Sequence, residues 1–208
     1  MNILVTDDHA IVRRGLIEIL RGEFSEAKIF EAANSTEAIA VTRANTLDLI
    51  LLDISMPGRN GMETLKQMRA DNIKAPILML SIHPEDQYAI RALKAGASGF
   101  VNKDSATDEL IHAVQKVLSG KKYLSAALAD KLAETIGGDM QKPLHELLSD
   151  RELEVLQLIA VGKAVSEIAD ALSLSVNTIS TYRARILEKL KLHNNAELTR
   201  YAIDNNLS

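Results

Sequence analysis

Five short apolar runs, each followed by a segment of helical periodicity, fill residues 1–120 and limit the fold more than any other feature. The runs are Ile3–Thr6, Lys28–Ala32, Leu49–Asp53, Ile77–Ser81 and Gly99–Val101. The helical segments lie near 9–21, 35–44, 61–70, 84–94 and 105–119. Several carry start or stop signals. Pro84 suits a first helical position, with Glu85 and Asp86 in the first turn. Ser105 and Asp108 resemble a capping box with a short acid, and Gly96 and Gly120 sit where helices stop. Strands alternating with helices predict an α/β fold: a five-stranded, doubly wound, flavodoxin-like parallel sheet covered on both faces. Ligands of such sheets bind beyond the carboxyl ends of the strands.

The chemistry-bearing residues fall at those ends. Asp7 and Asp8 follow the first strand, Asp53 closes the third, Ser81 closes the fourth and Lys103 follows the fifth. Asp48 opens its strand and so points away from the others. Magnesium takes hard oxygen ligands, often one or two carboxylates completed by water and phosphate. Asp8 and Asp53 can supply carboxylates, and Asp7 can act through water. A carboxylate can also accept a phosphoryl group. Lys103 and the Ser81 hydroxyl can hold phosphoryl oxygens. A pair of strand-end aspartates alone reads as helix capping. Pro57 and Gly61 alone read as turn chemistry. His83 reads as a helix cap and His9 as a solvent-facing loop residue.

The pattern changes after residue 120. Residues 121–145 hold Gly137–Gly138, Pro143 and mixed charge, and read as a linker whose middle, Ala126–Ile136, can be helical. Residues 146–208 show no strand signals and predict a small all-α domain of four helices. Ser149 and Glu152 form a capping box for a helix to about Val161. Further helices are expected over Val165–Leu172, Val176–Leu190 and Asn195–Asn205, with a turn at Ser173–Ser175. Helix, short turn, helix is a DNA-binding pattern whose second helix enters the major groove. Arg183, Arg185, Lys189 and Lys191 can neutralise phosphates. Ser180, Thr181 and Ala184 can approach base edges, and Asn177 and Thr178 can hold phosphates at the helix start. The net charge of −4 argues against nucleic acid on its face, but this one helix is basic. A basic helix alone reads as a solvated face. Without cysteine the chain has neither disulfides nor thiolate metal sites, which fits a cytoplasmic protein. No apolar run reaches membrane-spanning length, and no signal peptide is expected ahead of the first strand.

Taken together, Asp7–Asp8, Asp53-Ile-Ser-Met56-Pro57-Gly-Arg-Asn60-Gly61, Ser81, Phe100 and Lys103 resemble the CheY-like receiver domain over residues 1–120. The resemblance implies that Asp53 receives phosphate from a histidine kinase. It also implies that the Ser55 backbone carbonyl joins Asp7, Asp8 and Asp53 around Mg2+, and that Ser81 and Phe100 report phosphorylation by rotating together. Asp104 departs from the proline common after the lysine, and Phe100 lacks the phenol hydroxyl of tyrosine. Residues 147–207 resemble the LuxR-type DNA-binding domain through Leu148-Ser149-x-Arg151-Glu152-x-Glu154-Val155-Leu156, Glu167-Ile168-Ala169, Ser175-Val176-x-Thr178-Ile179 and Lys189-Leu190. Here Tyr182 replaces a usual histidine, and Ala164-Val165-Ser166 replaces a more polar run. In that family the last helix pairs two domains on DNA, which implies Leu198, Tyr201 and Ala202 as a dimer face. A buried-core role for Leu198 stands equally open. Receiver plus LuxR-type module resembles the NarL/FixJ family of response regulators, which are regulators and not enzymes. Two rival readings are a phosphatase or phosphotransferase with Asp53 as nucleophile, and a DNA-binding protein indifferent to phosphorylation. Ser55 stands where such an enzyme often has a second carboxylate, and the intact acid set argues against an idle site.

Overall fold

The computed structural model describes residues 1–82, 85–103, 107–126, 128–130 and 143–207. His83, Pro84, Asp104 and Ser105 fall outside the described residues, as do the side chains of Glu85, Asp86 and Asp108 and most of the expected linker. The expectations placed on them end here. The chain divides into two compact units, Met1–Gly138 and Asp139–Ser208.

The first unit is a five-stranded parallel sheet in the order β2-β1-β3-β4-β5. The strands are β1 (Asn2–Thr6), β2 (Lys28–Ala32), β3 (Leu49–Asp53), β4 (Ile77–Ser81) and β5 (Gly99–Asn102). Between and after them run α1 (Ala10–Glu23), α2 (Ser35–Ala44), α3 (Gly61–Ala70), α4 (Glu85–Lys94) and α5 (Thr107–Leu118). Every residue of β3 and β4 is buried, as continuous apolar runs require in a sheet covered on both sides. Ile3, Val5, Leu49, Leu51, Leu78, Leu80 and Val101 face Ile17 and Leu20 of α1 and Leu110, Ala113, Val114 and Val117 of α5. The alternate residues, among them Leu4, Ile50, Leu52, Met79 and Phe100, are buried on the opposite face. Each such side chain contributes about 1.5–3 kcal/mol relative to exposure, which holds the strand ends rigidly enough to position a site.

Part of the segment expected as linker is bound to this unit. The Tyr123 N–H donates to Ser98 O at 2.9 Å, and the residue bridges Gly99 at the start of β5. Its hydroxyl lies 2.9 Å from Glu109 Oε1 on α5, and its ring meets His112 edge-on. A Cβ on Gly99 would lie 2.8 Å from Tyr123 Cβ, so glycine is required for this approach. Composition hid the contact, because one tyrosine in a polar stretch carries no periodic signal.

The second unit is helical. A 3-10 turn at Leu144–Leu147 precedes α6 (Asp150–Ala160), α7 (Val165–Leu172), α8 (Val176–Leu190) and α9 (Asn195–Asp204). The Ser149–Glu152 capping box is formed in both directions, with Ser149 N–H to Glu152 Oε2 at 2.7 Å and Glu152 N–H to Ser149 Oγ at 3.3 Å. Leu153, Leu156, Ile168, Ile179, Ile186, Leu190 and Leu198 build the core. The turn between α7 and α8 places Ser173 at φ 53°, and Ser175 caps α8 through Thr178 N–H.

Candidate functional site

The carboxyl ends of β1, β3, β4 and β5 deliver the expected residues to one edge of the sheet. The Lys103 N–H donates to Ser81 O at 2.8 Å, which seats the lysine beside β4. Its ammonium lies 2.7 Å from Asp7 Oδ2 and 2.8 Å from Asp53 Oδ1. The side chains of Asp7 and Asp53 are essentially unexposed, and that of Lys103 is 9% exposed. Asp8 is half-buried at the rim. The Ser55 N–H donates to Asp53 Oδ1 at 3.3 Å, so the turn after β3 folds back over the carboxylate. Ser81 and Phe100 are fully buried, with Phe100 beside Met79 in the β4–β5 register. Asp48 stands at the opposite end of the sheet, where its carboxylate accepts the Asn2 N–H at 2.7 Å.

Burial pushes the Asp53 carboxyl up to about 6 against the pull of Lys103, with Asp7 adding to the rise. For Lys103, burial works against the charge, but Asp53 and Asp7 outweigh it and hold the ammonium above its ordinary range. The cluster thus concentrates negative charge that one lysine only partly offsets. Asp53 Oδ2 is buried and accepts no hydrogen bond among the described residues. An orphaned buried carboxylate oxygen is costly unless a ligand completes it. Asp7, Asp8, His9 and Asp53 each offer a ligand atom, all within 4.8 Å of one another. This donor set fits a divalent cation.

Three contributors were not legible as such in the sequence. Gly61, read as turn chemistry, begins α3 directly under Asp53: a Cβ there would fall 2.0 Å from the Asp53 carbonyl oxygen. The Arg13 guanidinium donates to the Asp7 backbone oxygen at 2.7 Å and to Glu31 at 3.1 Å. Its place one turn into α1 gave no hint, since only tertiary folding brings it over the loop. His9, read as facing solvent, is indeed 65% exposed, yet its Nδ1 lies 3.0 Å from Asp8 Oδ1.

In the helical unit, α8 presents Asn177, Ser180, Thr181, Ala184 and Arg185 to solvent, opposite buried Ile179, Ile186 and Leu190. Asn177, Thr178, Thr181, Tyr182 and Arg185 line a shallow groove of about 320 Å³ on this face. Two expected phosphate-binding residues are otherwise engaged. Arg183 Nε donates to Asn195 Oδ1 at 2.5 Å. Lys189 Nζ lies 2.6 Å from Glu152 Oε2 and 3.3 Å from Leu147 O, tying α8 to the start of α6. Glu152 is buried, which works against its charge, but Lys189 and Ser149 hold its carboxyl below the usual range. Of the expected dimer face, Leu198 and Ala202 are fully buried within the unit. The Tyr201 hydroxyl is taken by the His145 N–H at 3.2 Å. The exposed large apolar residue of α9 is Ile203, one position further on.

Comparison with known proteins matches this arrangement. Residues 3–115 match the response regulator receiver domain, and residues 146–202 match bacterial regulatory proteins of the luxR family. The chain is 34% identical to the response regulator UvrY of Escherichia coli (strain K12) over 208 residues, covering 100% of this chain and 95% of UvrY. It is 37% identical to the Fimbriae Z protein of Salmonella typhimurium over 205 residues, covering 97% of this chain and 95% of that protein. Among solved structures, RcsB from Salmonella enterica serovar Typhimurium bound to promoter rprA with the phosphomimetic BeF3- superimposes with a TM-score of 0.67. That pair shares 28% identity over 97% of each chain. A parallel-sheet receiver joined to a LuxR-type helix-turn-helix defines a transcriptional response regulator, and the chain belongs to the NarL/FixJ family of these proteins. No described helix is long and apolar enough to cross a membrane.

Proposed function

We propose that Asp53 accepts a phosphoryl group from a histidine kinase, and that the modified chain binds paired DNA sites as a homodimer. The observation that carries this reading is Asp53 Oδ2, buried and without a hydrogen-bond partner among the described residues, beside Lys103 and above Gly61. Asp8, Asp53 and the Ser55 carbonyl would hold Mg2+, with Asp7 acting through water. The cation supplies neutralisation of the crowded charges as the phosphoryl group approaches. Lys103 leaves its pairing with Asp53 Oδ1 to hold a phosphoryl oxygen, while Asp7 keeps its ammonium oriented. The Ser81 hydroxyl takes a second oxygen, and Phe100 follows the rotation of Ser81. The domains are a receiver over 1–120, a linker over 121–145 that begins with the Tyr123 anchor, and a DNA-binding domain over 146–208. This chemistry belongs in the cytoplasm, where the phosphodonor and the DNA are found.

On DNA, α8 enters the major groove. Ser180, Thr181 and Ala184 face base edges, while Asn177, Thr178 and Arg185 hold phosphates. Arg183 and Lys189 reach phosphates only by exchanging Asn195 and Glu152 for them. The promoter complex of RcsB with a phosphomimetic supports the coupling of phosphorylation to DNA binding. Pairing along the last helix uses its exposed side at Ile203, since Leu198 and Ala202 are committed to the core.

The test is incubation of the full chain with a small acyl phosphate and Mg2+, followed by intact mass measurement. The chain has no tryptophan to report the reaction by fluorescence. A single acid-labile adduct that is absent in Asp53→Asn is expected. Rapid multiple turnover without adduct would favour a phosphatase, and no adduct would leave only a DNA-binding protein.

A further inference from the structure

We infer that α8 reads thymine 5-methyl groups, so that the DNA half-sites of this chain carry thymine where Thr181 and Ala184 meet the major groove. The inference rests on the DNA-binding reading given above and names what that helix selects. Several polar side chains in the first half of α8 are already engaged within the protein. Thr181 Oγ1 donates to the Asn177 carbonyl at 2.9 Å, and Thr178 Oγ1 shares a 2.8 Å hydrogen bond with Ser175 Oγ. The Arg183 guanidinium donates to Asn195 Oδ1. Thr181 is exposed, and with its hydroxyl turned back to the preceding turn its methyl is the group left to face the groove. Ala184 is exposed one turn further on and adds a second methyl. Val176, 50% exposed at the start of α8, extends the apolar surface toward the end of the helix that enters the groove first.

The chemistry of the base edges agrees with this choice. Guanine is read by a cation spanning O6 and N7, adenine by an amide spanning N6 and N7, and thymine by apolar contact with its methyl. Positions 180, 181 and 184 hold serine, threonine and alanine, none of which can span a pair of base atoms. Their small size lets the helix lie close to the groove floor, where methyl meets methyl. Three residues of helix advance about 4.5 Å, against about 3.4 Å between stacked base pairs, so Thr181 and Ala184 reach neighbouring pairs. Arg185, an exposed cation of this face, stands in the second half of α8 and serves a phosphate in the reading above.

The experiment treats the full chain with a small acyl phosphate and Mg2+, selects its preferred sites from a randomised DNA duplex, and then replaces each selected thymine by uracil. Uracil lacks only the 5-methyl and keeps its pairing and its O4 acceptor. Affinity is expected to fall about fourfold at each of two positions, the effect of one carbon group left unburied. Thr181→Ser keeps the hydroxyl and should abolish the penalty at one of them. Thr181→Val keeps the methyl and should preserve it. Equal binding of every uracil-containing duplex overturns the inference and leaves another contact, such as Arg185 on guanine, as the source of selectivity. A uracil penalty that Thr181→Ser leaves unchanged at every position assigns the methyl contact to another residue and overturns it equally. Failure of the treated chain to bind any duplex overturns the DNA-binding reading and the inference with it.

Discussion

The receiver and the helical unit both gather charged side chains on one edge or face, but they hold them in opposite ways. At the sheet edge, Asp7, Asp53 and Lys103 are almost wholly removed from water. On α8, Arg185 and the residues around it stand in solvent. Burial makes the first site sensitive to single charges, because desolvated charges interact strongly and are costly when unmatched. The exposed face gains little from any one charge and depends on salt. The proposed phosphoryl switch needs the first property, since a single added group has to change the site around it. A DNA reader needs the second, so that it can slide and release.

Loss of the buried base should have the largest effect on stability. Lys103→Met leaves two buried carboxylates facing each other and should lower unfolding stability by about 3–5 kcal/mol at neutral pH. Denaturant melting measures it, and added Mg2+ should restore part of the loss. In the helical unit, Lys189→Met removes the partner of Glu152 from a half-exposed pair, and a loss of about 1 kcal/mol is expected. Equal losses in the two variants would break the contrast between the units.

Asp53→Asn should work in the other direction. The carboxyl titrates at about 6 in the fold against 3.8 ordinarily. A raised acid contributes stability below its unfolded value and loses it as pH rises through the folded one. Without divalent cations the variant should therefore be more stable than the parent at pH 7 by on the order of 2–3 kcal/mol, and equal to it near pH 4. Glu152 has the opposite sign. Its lowered carboxyl contributes stability above the ordinary value that is lost as pH falls. Between pH 6 and 4, hydrogen exchange resolved by unit should show the receiver gaining protection, while the helical unit loses it only as pH falls below the ordinary glutamate value of 4.5.

Smaller effects sharpen the comparison. Gly61→Ala forces a Cβ against the Asp53 carbonyl. A cost of about 1–3 kcal/mol and slower labelling by acyl phosphate are expected, because the acceptor is displaced. On the DNA side, Arg185→Ala should weaken binding to all sequences and reduce the salt slope by about one unit. Lys189→Ala should leave the slope unchanged, as its ammonium is held by Glu152. A change in slope for Lys189→Ala would show that the pair opens on DNA.

The sheet, its order of elements and the acid edge were legible because strand ends are fixed by where apolar runs stop. Asp53 closing Leu49–Leu52 needed no tertiary knowledge to be placed. Helices with local capping signals, such as the one opening at Ser149, were legible for the same reason. Three things were decided only by tertiary packing. One is the Lys103 bridge across Asp7 and Asp53, which offsets only part of the rise that burial imposes on the Asp53 carboxyl. Another is the assignment of Leu198 and Ala202 to the core, since the apolar stripe of one helix does not say whether its partner lies within the domain or in a second copy. The last is the turning of His9 and Arg13 onto the β1–α1 loop. Sequence fixes which groups lie at a strand end, because that depends on local periodicity. Which of them touch depends on distances between segments far apart in the chain, and those exist only once the sheet has closed around them.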